Sequence, residues 1–177
     1  KQLDNKGRPM LYAEWPKKVV GAKTLLYYMH FDGQPVVPAE WTQPDPWKPV
    51  VKKRISGKWE TIPADALFAD KLDSDLRVFA RASSDDKGPI LMFLAAFDGL
   101  KQLGLEPATN VKVLLDSEEE KGSPGIHAVA SANKTLLETD AIIIHDGPRH
   151  QSERPTMIFG NRGATQITLV VHGPKQP

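Results

Sequence analysis

Residues 111–125 read VKVLLDSEEEKGSPG, an apolar run that stops at three successive carboxylates, Glu118, Glu119 and Glu120, and passes into a glycine-containing turn. A strand buried inside a sheet has no water beside it. Acidic residues at its carboxyl end therefore sit at the mouth of the core, where open α/β sheets bind their ligands. Taken alone, the triplet reads as a solvated acidic turn, since charge runs are mostly wet. It gains a second reading because the same arrangement recurs along the chain.

Upstream, TLLYYM at 24–29 is apolar almost throughout, as a central strand would be, and runs straight into His30. Downstream, Ala141 to Ile144 reads as a strand ending in His145 and Asp146. Leu11 to Trp15 reads as a further strand. Between these runs lie helical signals. Pro89 to Leu103 carries Ile90, Phe93, Leu94, Phe97 and Leu100 on one face, with Pro89 suited to a first turn and Gly104 to the cap. A second helix is expected from Ser123, as cap, to Leu137. Strands alternating with helices imply an α/β fold, a sheet with helices packed on it.

The stretch before the first helix is of another kind. Residues 39–63 are rich in proline and tryptophan around a hairpin expected at Val50 to Ile55 and Lys58 to Ile62, turning at Ser56 and Gly57. It reads as a surface flap. Its aromatics could stack on nucleic acid, but no clustered basic stripe accompanies them. Beyond Arg149, a polar connection precedes FGNRG at 159–163 and a last run, ATQITLVV, expected as a strand.

Composition sets limits. A chain of 177 residues can bury one good core, and 23 basic against 22 acidic residues give no overall pull toward nucleic acid or an anionic membrane. No apolar stretch reaches the roughly 18–20 uncharged residues of a membrane-spanning helix. The opening KQLDNKGRPM lacks the apolar core of a signal peptide, but a chain starting at Lys1 leaves the compartment open, cytoplasmic or exported. Without cysteine there are no disulfides and no thiolate metal sites. Any metal must be held by His, Asp and Glu.

Such residues gather at one predicted edge of the sheet: His30 with Asp32, Glu119 with Glu120, His145 with Asp146, and Asp85 with Asp86 in the SSDDKGP loop before the helix. Each pair alone has an ordinary structural reading. Together they would bury unpaired negative charge at a cost of several kcal/mol per ion, a cost that a divalent cation or two would remove. Carboxylates mixed with imidazole suit zinc, manganese or cobalt, and several acids with few histidines suit a two-metal site for hydrolysis.

YYMHFDGQP, SSDDKGP, DSEEEKGSPG, HDGP and FGNRG resemble, in this order, the motifs of the dizinc exopeptidase family that includes carnosinase-type dipeptidases, glutamate carboxypeptidase, aminoacylase and succinyl-diaminopimelate desuccinylase. The resemblance runs from about Thr24 to Val171. It implies a zinc-exopeptidase-like mixed α/β sheet flanked by helices, and hydrolysis of the amide bond of dipeptides or short peptides with two divalent ions, zinc first, manganese or cobalt as alternatives. It further implies that His30 binds one ion, Asp85 bridges both, Glu120 binds at the neighbouring position and Asp146 completes the His30 side. Glu119 would be the general base and Asp32 would orient His30.

Some features depart from the family. The Gly-Arg-Gly that usually precedes the Asp-Asp-Lys-Gly element is replaced within FARASS, and the segment from about Ser56 to Arg81 looks longer than usual. The further histidine ligand of family members has no counterpart here, nor does the lid histidine that contacts substrate. The resemblance thus divides the chain into a partial catalytic domain, residues 1–159, and the start of a lid, 160–177, within a longer protein that would form a homodimer through that lid. His172 would lie on the lid strand, and His127 and His150 read as bystanders. Two other functions remain open: an amidase or deacylase acting on N-acyl amino acids, and a non-catalytic module that binds peptides.

Overall fold

The computed structural model describes residues 1–177 except 72, 148, 149, 153, 161, 162, 164, 166 and 174–177. Its elements are β1 (Gln2–Leu3), β2 (Met10–Glu14), β3 (Thr24–His30), β4 (Val50–Ile55), β5 (Lys58–Ile62), β6 (Arg77–Phe79), α1 (Lys87–Gln102), β7 (Asn110–Asp116), α2 (Ile126–Ala132), α3 (Lys134–Leu137) and β8 (Ala141–Ile144). The fold is mixed α/β, as the alternation of strands and helices implied.

A five-stranded sheet runs in the order β1-β2-β7-β3-β8. Strand β3 is parallel to β7, with Thr24 opposite Asn110 and His30 opposite Asp116, and parallel to β8, with Leu25 opposite Ala141 and Tyr28 opposite Ile144. Strand β2 joins β7 antiparallel. The carboxyl ends of β7, β3 and β8 therefore point the same way, and everything that follows them in sequence starts from one edge.

Both faces of β3 are covered, which is why its sequence is continuously apolar. On one face, Leu26 joins Leu3, Met10, Tyr12, Leu114 and Val129 in the buried cluster, with Ile126, Leu136 and Leu137 of α2 and α3 against it. On the other, Tyr27 packs on Phe93 of α1 at 5.0 Å between ring centroids, and Phe97 continues the contact to Trp15, also at 5.0 Å.

Several local expectations are corrected. Helix α1 begins at Lys87, two residues before Pro89. Proline is tolerated there because the first-turn N–H groups have no helical partner in any case. Leu94, expected on the buried face, is 52% exposed, because the helix is apolar on more than one side and only one side meets the sheet. The helix expected from Ser123 to Leu137 is two short helices divided at Asn133, whose side-chain Nδ2 donates to the Val129 carbonyl at 2.9 Å and closes α2. Ser123 is not its cap: it sits in the left-handed region at φ 49° and donates its N–H back to the Glu118 carbonyl.

The hairpin β4–β5 has the expected bounds and turn, with Ser56 and Gly57 both at positive φ. It belongs to a second sheet, β5-β4-β6, in which β6 is a three-residue strand inside the segment from about Ser56 to Arg81. Contacts divide the chain into two units, residues 1–147 and 148–177. The described residues of the second contain no helix or strand, so ATQITLVV is not a strand across its described positions. A strand exists by its ladder, and among the described residues this run has no partner. No helix among the described residues is long and apolar enough to cross a membrane.

Candidate metal centre at the carboxyl edge of the central sheet

His30, the last residue of β3, is fully buried, and its Nε2 makes no hydrogen bond among the described residues. It is nonetheless surrounded by carboxylate oxygens. Asp85 Oδ1 lies at 2.9 Å, off the line a hydrogen bond would need; Asp146 Oδ2 lies at 3.6 Å and Glu119 Oε2 at 3.9 Å. One atom each from His30, Asp85 and Asp146 falls within 4.8 Å of the others, close enough to hold one ion together. Leaving a buried ring nitrogen without a partner costs about 1–3 kcal/mol. A divalent cation accepted by an imidazole and two carboxylates satisfies it, so the donor set fits such an ion.

The other ring nitrogen fixes the tautomer. Nδ1 lies 3.2 Å from Asp32 Oδ1, so with Nδ1 carrying the proton, Nε2 presents its lone pair to the acids. Asp32 does more than hold the ring: its Oδ1 accepts the Glu119 N–H and its Oδ2 the Glu120 N–H, each at 3.2 Å. One carboxylate thus ties the end of β3 to the short 3-10 turn Glu119–Lys121 that follows β7.

That turn separates the three acids. Glu118 is turned away, near Arg8 at 3.5 Å and Lys121 at 3.8 Å. Glu119 faces His30. Glu120 stands outside the three-residue group, and its carboxylate accepts a hydrogen bond from Gln34 Nε2 at 2.5 Å. His145 does not join the site: its ring stands edge-on to Tyr27 at 5.4 Å, and burial lowers its pKa. His127 is exposed on α2, and His150, also exposed, contacts Ser152 through Nδ1 at 2.7 Å.

Two buried acids adjoin the site, Asp86, which the SSDDKGP motif contains, and Asp116, which no motif marks. Asp86 is buried and accepts the backbone N–H of His30 at 3.0 Å; its peptide bond to Asp85 is cis. Asp116, also buried, accepts from the Tyr28 hydroxyl and from the Glu118 N–H, both at 2.9 Å. The available signal for Asp116 in the sequence is its place directly after the apolar run 111–115; the structure sets it opposite His30.

The electrostatics follow from this crowding. Burial works to lower the His30 pKa, yet the carboxylates of Asp146, Asp86, Glu119 and Asp85 together raise it. Burial raises Glu119, opposed by His30 and aided by Asp146, Glu120 and Asp32. Burial also pushes Asp86 up to about 6, against the pull of the His30 N–H. These are groups that a cation would release from holding a proton.

Comparisons with known proteins identify the family of the chain. Residues 26–161 match the model of peptidase family M20/M25/M40. The chain is 29% identical over 154 residues to the Cys-Gly metallodipeptidase of Schizosaccharomyces pombe, covering 86% of this chain and 28% of that protein. It is 30% identical over 157 residues to the cysteinylglycine-S-conjugate dipeptidase of Corynebacterium striatum, covering 88% and 30%. Among solved structures, an M20 family metallo-carboxypeptidase from Sulfolobus solfataricus superposes with a TM-score of 0.62 at 32% identity, covering 88% of this chain and 30% of that one. The chain therefore spans less than a third of the length of these relatives. The family resemblance carried by the sequence motifs is borne out, and the chain belongs to peptidase family M20/M25/M40.

Proposed function

We propose that this chain is part of a metal-dependent dipeptidase, in which the edge formed by β3, β7 and β8 supports a two-ion hydrolytic centre. The carrying observation is the buried Nε2 of His30, without a hydrogen bond and ringed by Asp85, Asp146 and Glu119. His30 and Asp146 would hold one ion, Asp85 would bridge, and Glu120 would serve the second position, with a further histidine supplied by the rest of the protein. Residues 1–159 would be catalytic and 160–177 the start of a lid through which the full protein dimerises.

The ions, zinc in the first place, would supply a Lewis acid for the scissile carbonyl and a water acidified toward neutrality. The remaining work falls to side chains. Asp32 keeps the proton on Nδ1, so that Nε2 stays a ligand. It also anchors the backbone of Glu119 and Glu120, fixing where their carboxylates can reach. Glu119 takes the proton of the attacking water on Oε2 and returns it to the leaving amine as the amide bond breaks. Small dipeptides are the proposed substrates because the similar proteins include a Cys-Gly metallodipeptidase and a cysteinylglycine-S-conjugate dipeptidase.

The test is Glu119→Gln in the full-length protein. Loss of a general base is expected to lower kcat by about 10²–10⁴, with metal content unchanged. Dipeptide turnover close to wild type in that variant would remove Glu119 from the role.

A further inference from the structure

We infer that Gln34 is a positioning residue for Glu120, holding its carboxylate by a neutral donor so that the second ion position is formed. The inference rests on the two-ion reading and adds a residue to it.

Three side chains from one short segment reach the same acidic turn. His30 approaches Glu119, Asp32 takes the backbone N–H groups of Glu119 and Glu120, and Gln34 takes the Glu120 carboxylate, donating from Nε2 to Oε2 at 2.5 Å. Among the described residues this is the only hydrogen bond that the Glu120 carboxylate makes. Glu120 is thus fixed twice, at its backbone by Asp32 and at its carboxylate by Gln34.

The chemistry of the donor matters. An amide NH₂ occupies one lone pair of Oε2 and leaves Oε1 free to ligate. It brings no charge, so it favours the ionised carboxylate without competing with a cation for it, as a lysine would. Gln34 is exposed. A single hydrogen bond there contributes little to folding, so its consequence is orientation rather than stability.

The experiment is a titration of the metal-free, full-length protein with zinc, followed by calorimetry, and with cobalt, followed by visible absorption. Wild type, Gln34→Ala and Gln34→Glu are compared; glutamate keeps the shape but cannot donate when ionised. The expected result is two binding steps in wild type. Both variants should keep the tighter step and weaken the second about 10–100-fold, the usual effect of losing a partner of a ligand. The cobalt spectrum of the second equivalent should change, with an unaltered unfolding midpoint. An unchanged second step, or equal weakening of both steps, overturns the role of Gln34 while leaving the two-ion reading standing. A wild-type protein that takes up fewer than two ions overturns the reading itself, and the inference with it.

Discussion

Gly33 and Ala82 meet where the segment after β3 crosses the loop before α1. A Cβ added at Gly33 would lie 2.9 Å from the Ala82 Cβ and 3.2 Å from Arg81 Cγ, and Ala82 itself is held at φ 61°. Gly33→Ala should destabilise the full-length protein by about 1–3 kcal/mol, the usual cost of overpacking. Ala82→Gly removes an L side chain from the left-handed region and should stabilise by up to about 1 kcal/mol. Because the two Cβ positions collide, the double variant should lose less than the sum of the single effects, read from denaturant unfolding; strict additivity would contradict the contact. A second residue-scale expectation concerns Asp32, which touches His30, Glu119 and Glu120 together. Asp32→Ala should weaken metal binding about 10–100-fold, measured by competition with a chelator, and unchanged affinity would contradict its role as a hub. Most of the gathered acids were legible in sequence because each follows an apolar run or precedes a helix. The neighbours that sort the acidic triplet were not. Arg8 and Asn5 near Glu118, and Gln34 on Glu120, lie 110, 113 and 86 residues away in the chain. Nothing in local spacing links such distant positions.

At the scale of elements, the start of β3 is fastened to the start of β8 by Asp140. Its Oδ1 lies 2.7 Å from Lys23 Nζ, and its Oδ2 accepts the Thr24 N–H at 2.8 Å. The hydrogen bond from Lys23, then that from Thr24, hold the Asp140 carboxyl below the ordinary carboxylate range. A carboxyl depressed on folding stabilises fully above its unfolded pKa, and that contribution fades as pH falls through the folded value. Asp140→Asn should therefore be less stable than wild type at neutral pH, with the gap closing in acid below the usual carboxylate range. A gap constant with pH would show that charge is not what fastens the strands. The long elements were legible because their patterns are strong: β3 is apolar over its length, and β4 and β5 flank a Ser-Gly turn. Strand β6 was not, since three residues carry no period and it exists only by pairing with β4. The break between α2 and α3 also escaped, because Asn133 acts through its own side chain within a run that is otherwise helical.

At the scale of the whole molecule, the centre occupies one edge of a sheet whose own edge strand, β8, leaves Ile142 and Ile144 exposed, while α1 leaves Leu91 and Met92 exposed. The relatives are more than three times the length matched here, and their activity belongs to whole proteins. The decisive experiment is accordingly made on the full-length protein. It is stripped of metal with a chelator and returned to zinc in measured equivalents, while hydrolysis of a dipeptide such as Cys-Gly is followed. No turnover is expected without metal, and activity should rise to a plateau at about two equivalents per chain, the stoichiometry of a two-ion hydrolytic site. Full turnover in the metal-free protein, or none at any loading, would contradict the proposed function.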